Sequence, residues 1–262
     1  MRSRLIKTAL LYNMDAHHAN PVNLLAGALG MFVNNTIFLV GIWGMLFAGK
    51  TKNAELLAYF IALYAIVTAS WGAVNFFFGG LRFLGDYITE GTLEPMLATP
   101  RDPILLAAIS RSSPMALGDL VMGFVGIFIL GIKLDPSMAA RSILAAIISA
   151  VGFAALFISA GALSFFIPRG NSVGQLFIEI TLSLSVYPTG KMFDGTGRIF
   201  LLLTPAAATA VLPLDIVESA GLMSFLIAIF SAALFFTVSV CLFRLGVRRY
   251  KAVSVIGLGG GV

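Results

Sequence analysis

Two carboxylates, Asp119 and Glu179, stand inside long apolar stretches. Within membrane hydrocarbon an ionisable side chain costs a few kcal/mol, so it turns to a bundle interior or an aqueous cavity. There it could line a transport path or a gate, or act as a structural partner of Arg111, Asn34 or Asn75. Asp86, Glu90 and Glu94 recur every four residues, which would stack three carboxylates on one face of a helix. Other patterns carry less. Gly44, Gly49, Lys50 and Thr51 satisfy G-x-x-x-x-G-K-[ST]. A phosphate loop needs a strand before it and a helix N-terminus after it. Here Met45 to Ala48 fill the loop positions at the end of an apolar run, so no ATP site is expected. Asp15, His17 and His18 do not make a metal site: adjacent helical side chains point about 100° apart, and no further ligand cluster is near. Cys241 is alone, which leaves no internal disulfide and no cysteine cluster. An intramembrane enzyme would need a nucleophile with its base, or His/Asp ligands, within the apolar runs. Both histidines lie outside them.

The elements that hold these residues are set by composition. Of 262 residues, 59% are hydrophobic and 11% charged, with a mean hydropathy of +0.97. A soluble domain carries roughly a quarter charged residues. The net charge of +5 invites a nucleic-acid reading, but the basic residues cluster at the ends of apolar runs, as in membrane proteins. No nucleic-acid partner is expected.

Runs of about 20 apolar residues cross a membrane. They fall at Leu24 to Ala48, Leu56 to Gly80, Ile104 to Leu130, Ile143 to Ile167 and Leu222 to Phe243, with a shorter one at Val173 to Val186. Asn34 and Asn35 lie mid-span and should face other helices. Ser70, Trp71 and Asn75 mark the later half of the second run. Gly123, Gly126 and Gly131 would allow close contact of the third with a neighbour. Polar residues from Arg111 to Asp119 predict a kink in its first half. Before the first run, Leu5, Ile6, Ala9 and Tyr12 share a face opposite Arg4 and Lys7. Residues 1–22 therefore read as an amphipathic helix on the membrane surface, or else as a frayed tail.

Ile199 to Val217 is apolar but interrupted by Pro205 and Pro213. If it crossed, Arg244, Arg248, Arg249 and Lys251 would lie outside and reverse the inner excess of Lys and Arg. The positive-inside rule therefore favours a segment, 187–218, that dips in and returns. The expected fold is an all-α integral membrane protein, a single domain of six spans, with both termini cytoplasmic.

The stretch from Tyr87 to Pro103, YITEGTLEPMLATPRDP, is the longest charged segment between apolar runs. Leu84, Tyr87 and Ile88 form one apolar face, and Leu93, Met96 and Leu97 another, rotated around the axis. One straight helix cannot bury both, so two short helices with a break at Gly91 are expected. Thr92 is expected to cap the second, with Glu94 and Pro95 in its first turn. Asp102 and Pro103 make the next helix start.

This stretch resembles the cytoplasmic loop of ABC-2-type transporter permeases, which carry Gly-Thr-Leu-Glu, apolar residues and Thr-Pro after their second membrane helix. Gly91, Thr92, Leu93, Glu94, then Met96, Leu97, Thr99 and Pro100 are the matching residues. The ending from Leu242 to Ser254 is also similar to one branch of that family, and the resemblance covers essentially the whole chain. It implies a cytoplasmic coupling helix within 84–103, a re-entrant outer hairpin before the last helix, and a permease subunit without enzymatic activity. It further implies a separate ABC ATPase subunit, which would carry the ATP and Mg; a second permease chain, identical or different; and a setting of membrane lipid in the cell's inner membrane. Glu90, Gly91, Thr92, Leu93, Glu94, Met96 and Arg101 would form the ATPase-docking surface, with Leu93 and Met96 in the apolar part of a groove. Asn34, Asn75, Asp119 and Glu179 are the candidates for the translocation path. The family's usual work, export of an amphipathic cargo, is the expected function. The alternative is an ion-coupled secondary transporter using Asp119 and Glu179, which would leave the acidic loop unexplained.

Overall fold

The computed structural model describes residues 7–8, 11, 21–43, 54–133, 135–189, 193 and 195–258. The expected surface helix at 1–22, the His17–His18 pair and the Gly49–Lys50–Thr51 match fall almost wholly outside them. Among the described residues every regular element is a helix. Helix α1 is Pro21–Thr36, continued by a wider π-turn segment, Ile37–Trp43. Helix α2, Ala54–Phe78, runs through a 3-10 turn at Gly79–Phe83 into α3, Leu84–Thr89. Then come α4 (Glu94–Leu97), α5 (Pro103–Ile109), α6 (Ala116–Lys133) and α7 (Pro136–Ala162). Helix α8 is Gly170–Val186, α9 is Thr196–Leu202, α10 is Leu212–Ser219 and α11 is Leu222–Leu258.

Four helical stretches are long and apolar enough to cross a membrane: Pro21–Gly41, Leu57–Thr89, Pro136–Phe165 and Leu222–Tyr250. A fifth is reached if the bent pair Thr196–Leu202 and Ala207–Ser219 is one span. The expected third run does not form one helix. It breaks between Ile109 and Ala116, where Pro114 has no N–H to give, and α6 begins after the break. The connection after α6 is also shorter than expected, because α7 starts at Pro136 with Asp135 as its cap. Asp135 accepts from the Ser137 N–H at 2.9 Å and from the Ser137 hydroxyl. Those two bonds hold its carboxyl below the usual carboxylate range.

Helix α2 is the axis of the bundle: 83% of the 18-residue apolar part of the Leu57–Thr89 stretch is buried, against 6% for that of Pro21–Gly41 and 17% for that of Leu222–Tyr250. Its ridge of small residues explains why. A Cβ on Gly72 would lie 2.5 Å from the Leu120 nitrogen of α6, and one on Gly126 would lie 2.7 Å from the Ala65 Cβ. Gly123 is pressed as closely against Ala69. Without a hydrophobic drive between helices in lipid, such close backbone approach supplies the contact. The other face of α2 packs on α7, where Trp71 meets Phe153 and Phe157 edge-on, with centroids 5.4 and 5.2 Å away. Peripheral α1 shows Val22, Leu29, Ile37 and Val40 to the outside, a surface suited to hydrocarbon and not to water.

The segment after α8 turns back on itself, bending by 92° between Leu202 and Ala207. At its tip the Thr209 carbonyl accepts from the Ser149 hydroxyl of α7, and Thr209 Oγ1 lies 2.7 Å from the Ser185 hydroxyl. At its end the Val217 carbonyl accepts from Arg141 at 2.9 Å. Ser149 and Arg141 are eight residues apart on α7, or about 12 Å along the axis. Arg198, at the start, is paired with Asp215, near the end, at 2.9 Å. The segment enters and leaves at the same end of α7.

Candidate functional site

The stretch expected to couple to an ATPase is two short helices, as expected, joined at Gly91 with φ +76°. An added Cβ there would meet nothing within 4 Å, so the backbone sign and not space calls for glycine. The turn is closed by Leu93 N–H to the Tyr87 carbonyl at 2.9 Å. Thr92 does not cap α4. Its hydroxyl reaches back to the same Tyr87 carbonyl at 3.5 Å, and Leu93 holds the cap position without a side-chain bond. Glu94 and Pro95 do occupy the first turn of α4, and Asp102 caps α5 by accepting from Ile104 at 2.9 Å and Leu105 at 3.3 Å.

Leu93 overturns its expected role. It is fully buried, in the same core as Leu84, Tyr87 and Ile88, so it anchors the stretch from within and cannot fill a partner's groove. The exposed set is Glu90, Thr92, Glu94 and Arg101, with Met96 half-buried and Gly91 at the turn between. Nor do the acidic residues form one stripe. Asp86 turns to the start of α8, where its carboxylate accepts from Asn171, and Glu94 accepts from the Tyr250 hydroxyl at 2.8 Å. Below, Gly161 lets α3 sit directly on α7, since a Cβ there would come 2.6 Å from the Leu84 Cβ, and Gly85 leaves room for Asn171 at the start of α8. The stretch is a foot packed against the body at the end of α2.

The second set of residues gathers higher in the bundle. A cavity of about 200 Å3 is lined by α1, α2, α6 and α8, and Asn34, Asn35, Tyr64, Thr68, Trp71 and Asp119 bring its polar atoms. Gly118 makes this possible: it lies so close to the Ala28 carbonyl of α1 that no side chain fits, which brings its neighbour Asp119 to Asn35. Asn35 Nδ2 donates to Asp119 Oδ1 at 2.7 Å, and the Tyr64 hydroxyl donates to Asn35 Oδ1 at 2.7 Å. Phe38 stacks on Tyr64 at 5.7 Å and completes an apolar wall with Met31, Val67, Leu182 and Val186. Asp119 is 4% exposed, and its partner is none of the three expected, because Asn35, not Asn34, turns inward.

Glu179 is not in the cavity. It lies on the outer side of α8, with its side chain 59% exposed, 3.7 Å from Arg82. The same guanidinium lies over the Trp71 ring at 5.3 Å. Arg82 thus connects the foot of α2 with the cavity wall, a link that residue spacing gives no sign of. Asn75 is also elsewhere. It is buried, donates to the Trp71 carbonyl at 2.9 Å, and its own carbonyl accepts from Ser113 at 3.1 Å, so it holds the broken linker before α6.

A family model described as ABC-2 family transporter protein matches residues 25–254, and so takes in the coupling stretch, the cavity and the returning segment. The chain belongs to that family. Among curated proteins no match was found. Membership makes the chain a multi-pass permease subunit of an ABC transporter, a transport component and not itself a catalyst. The two sets of residues differ in chemistry: a charged, exposed foot and a cavity with an aromatic wall. Among the described residues no three His, Cys, Asp or Glu side chains group to hold a metal ion.

Proposed function

We propose that this ABC-2 permease is the membrane half of an ATP-driven exporter of an amphipathic cargo, powered by a separate ABC ATPase chain that carries ATP and Mg. The observation that carries the reading is the unbroken path from the foot to the cavity. Helix α2 passes through the 3-10 turn into α3 without a loop, and Leu93, Asp86 and Gly85 fix α3 and α4 to the body. A push on Glu90, Gly91, Thr92, Glu94, Met96 or Arg101 is therefore carried by α2 to Tyr64, Thr68 and Trp71 in the cavity wall. Packed elements move as bodies of this kind when domains rock.

In this reading six spans cross the inner membrane: α1, α2 with its foot, α6 after the α5 step, α7, α8 and α11. Segment 187–218 dips in from outside, and both termini are cytoplasmic. A second permease chain, of the same or a different sequence, closes the open sides of α1 and α8, where Asn34 and Glu179 are exposed. The cavity, with an aromatic wall and one carboxylate–amide–phenol chain, suits a molecule with an apolar body and a polar end.

The test is purification of the tagged protein from its own membranes in mild detergent, with mass spectrometry of the co-purifying chains. The expected result is an ATPase chain with a phosphate loop, lost from a Glu90→Lys/Glu94→Lys variant that still runs as a folded protein. A permease that comes alone, with transport that collapses when the proton gradient is removed and not when ATP is, would establish the ion-coupled alternative.

A further inference from the structure

At the foot of the molecule, between the coupling stretch and the end of α11, lies a cavity of about 330 Å3 whose mouth carries Arg101, Arg244 and Arg248. One acid, Asp102, faces them, 3.8 Å from Arg244. That carboxylate also caps α5, so it offsets only part of the positive charge. Arg101 and Arg248 form no ion pair among the described residues, and both are exposed. Asp102, Ile104 and Arg244 also border a second cavity of about 360 Å3, whose further walls are apolar and include Phe78, Ile158, Phe236 and Val240. From Arg244 to Phe236 is eight residues of α11, so the apolar slot climbs about 12 Å into the span.

A basic cavity that shares Asp102, Ile104 and Arg244 with an apolar slot beside it suits one chemistry: a phosphate-bearing headgroup with an acyl chain beneath it. We propose that this ABC-2 permease holds one anionic phospholipid between its coupling stretch and its last helix. The phosphate lies among Arg101, Arg244 and Arg248, and a chain lies along Phe236 and Val240. A soluble anion would use the mouth and leave the slot empty. A protein partner could cover the mouth but would not reach Phe236 from the aqueous side. Basic pockets between membrane helices on the cytoplasmic side bind anionic headgroups elsewhere by the same electrostatics. The lipid would bridge Arg101, beside the foot, to α11, so it would stiffen the foot whatever pushes on it.

The full-length chain, purified in detergent without any partner, is mixed with equal amounts of phosphatidylglycerol and phosphatidylcholine. Bound lipid is then counted by native mass spectrometry. One retained phosphatidylglycerol per chain is expected, with affinity falling on the order of tenfold or more in Arg244→Gln/Arg248→Gln. The corresponding Arg244→Lys/Arg248→Lys variant should keep most of it. Val240→Trp, which fills the slot and leaves every charge in place, should also release the lipid, and inorganic phosphate should not displace it from the unaltered protein. Equal retention of the two lipids would overturn the proposal. So would a Val240→Trp variant that binds as before, which would take the slot out of the site, or displacement by inorganic phosphate, which would make the mouth a site for a soluble anion only.

Discussion

Asp119 is held by one amide, and that amide by one phenol, so each member of the chain has a distinct effect when changed. Asp119→Asn keeps the shape and a hydrogen-bonding oxygen. Its unfolding midpoint in detergent should stay near that of the unaltered protein, since a hydrogen bond between membrane helices contributes about 0.6 kcal/mol on average. Asp119→Leu leaves Asn35 with an unpaired buried amide and should cost more, about 1–3 kcal/mol. If the carboxylate serves the cargo path, transport into inverted vesicles falls in both variants; transport intact in Asp119→Asn would leave it a structural role. Leu93 gives the opposite contrast, because it is entirely inside. Leu93→Ala should destabilise the chain by about 2–5 kcal/mol, read as a lower unfolding midpoint with no partner present. The sequence marked Asp119 by polarity and Leu93 by apolar periodicity, and both markings located real features. It could not say which way Leu93 turns. The break at Gly91 decides that, and the bonds across the turn, from Leu93 to Tyr87 and from Glu94 to Gly91, set the second short helix against the first.

At the scale of elements, the α2–α6 seam is where the bundle tolerates least change. Gly123 was marked as a close-contact residue by composition alone, and it faces Ala69. Gly123→Leu should force the two helices apart at a cost of about 1–3 kcal/mol, and more if the backbone cannot shift. The Gly30→Leu control on α1, where an added Cβ meets nothing within 4 Å, should leave the midpoint unchanged. The check is a pair of thermal unfolding curves in the same detergent. Equal midpoints would mean that the seam does not hold the bundle. Span boundaries were less legible than span existence. Continuous hydropathy runs from Ile104 to Leu130, yet Pro114 and the polar residues from Arg111 to Ser113 divide the run into α5 and α6. A window of hydropathy averages across such a break. Likewise Val173 to Val186 reads as a short span, while α8 begins at Gly170, after Arg169 at φ 58°, which ends the previous turn.

Two contacts far apart in sequence fix which parts of the chain share one end of the bundle. Tyr250 donates to Glu94, and Arg244 faces Asp102, so the end of α11 and the coupling stretch share one end of the bundle. The returning segment ends beside Arg141, at the start of α7, and Arg198 is paired with Asp215 there, so the connection into α11 belongs to the other end. The count of basic residues points the same way, by an independent physical cause: charge at the membrane surface, and not packing. The consequence is testable in whole cells. In a Cys241→Ser background, which removes the native thiol, Ala220→Cys should react with a membrane-impermeant maleimide added outside. Ala98→Cys and Arg249→Cys should react only after the membrane is opened. The three positions are exposed on the chain itself, so a difference in labelling reports side and not burial. Labelling of Arg249→Cys from outside together with protection of Ala98→Cys would place the two ends of the Tyr250–Glu94 bond on opposite sides of the bilayer. No fold containing that bond could give this result. Labelling of both from outside would keep the contacts and invert the molecule, and the exposed foot would then face away from any cytoplasmic ATPase. Protection of both, with Ala220→Cys labelled, is the pattern that lets α2 carry a push from inside the cell up to Asp119.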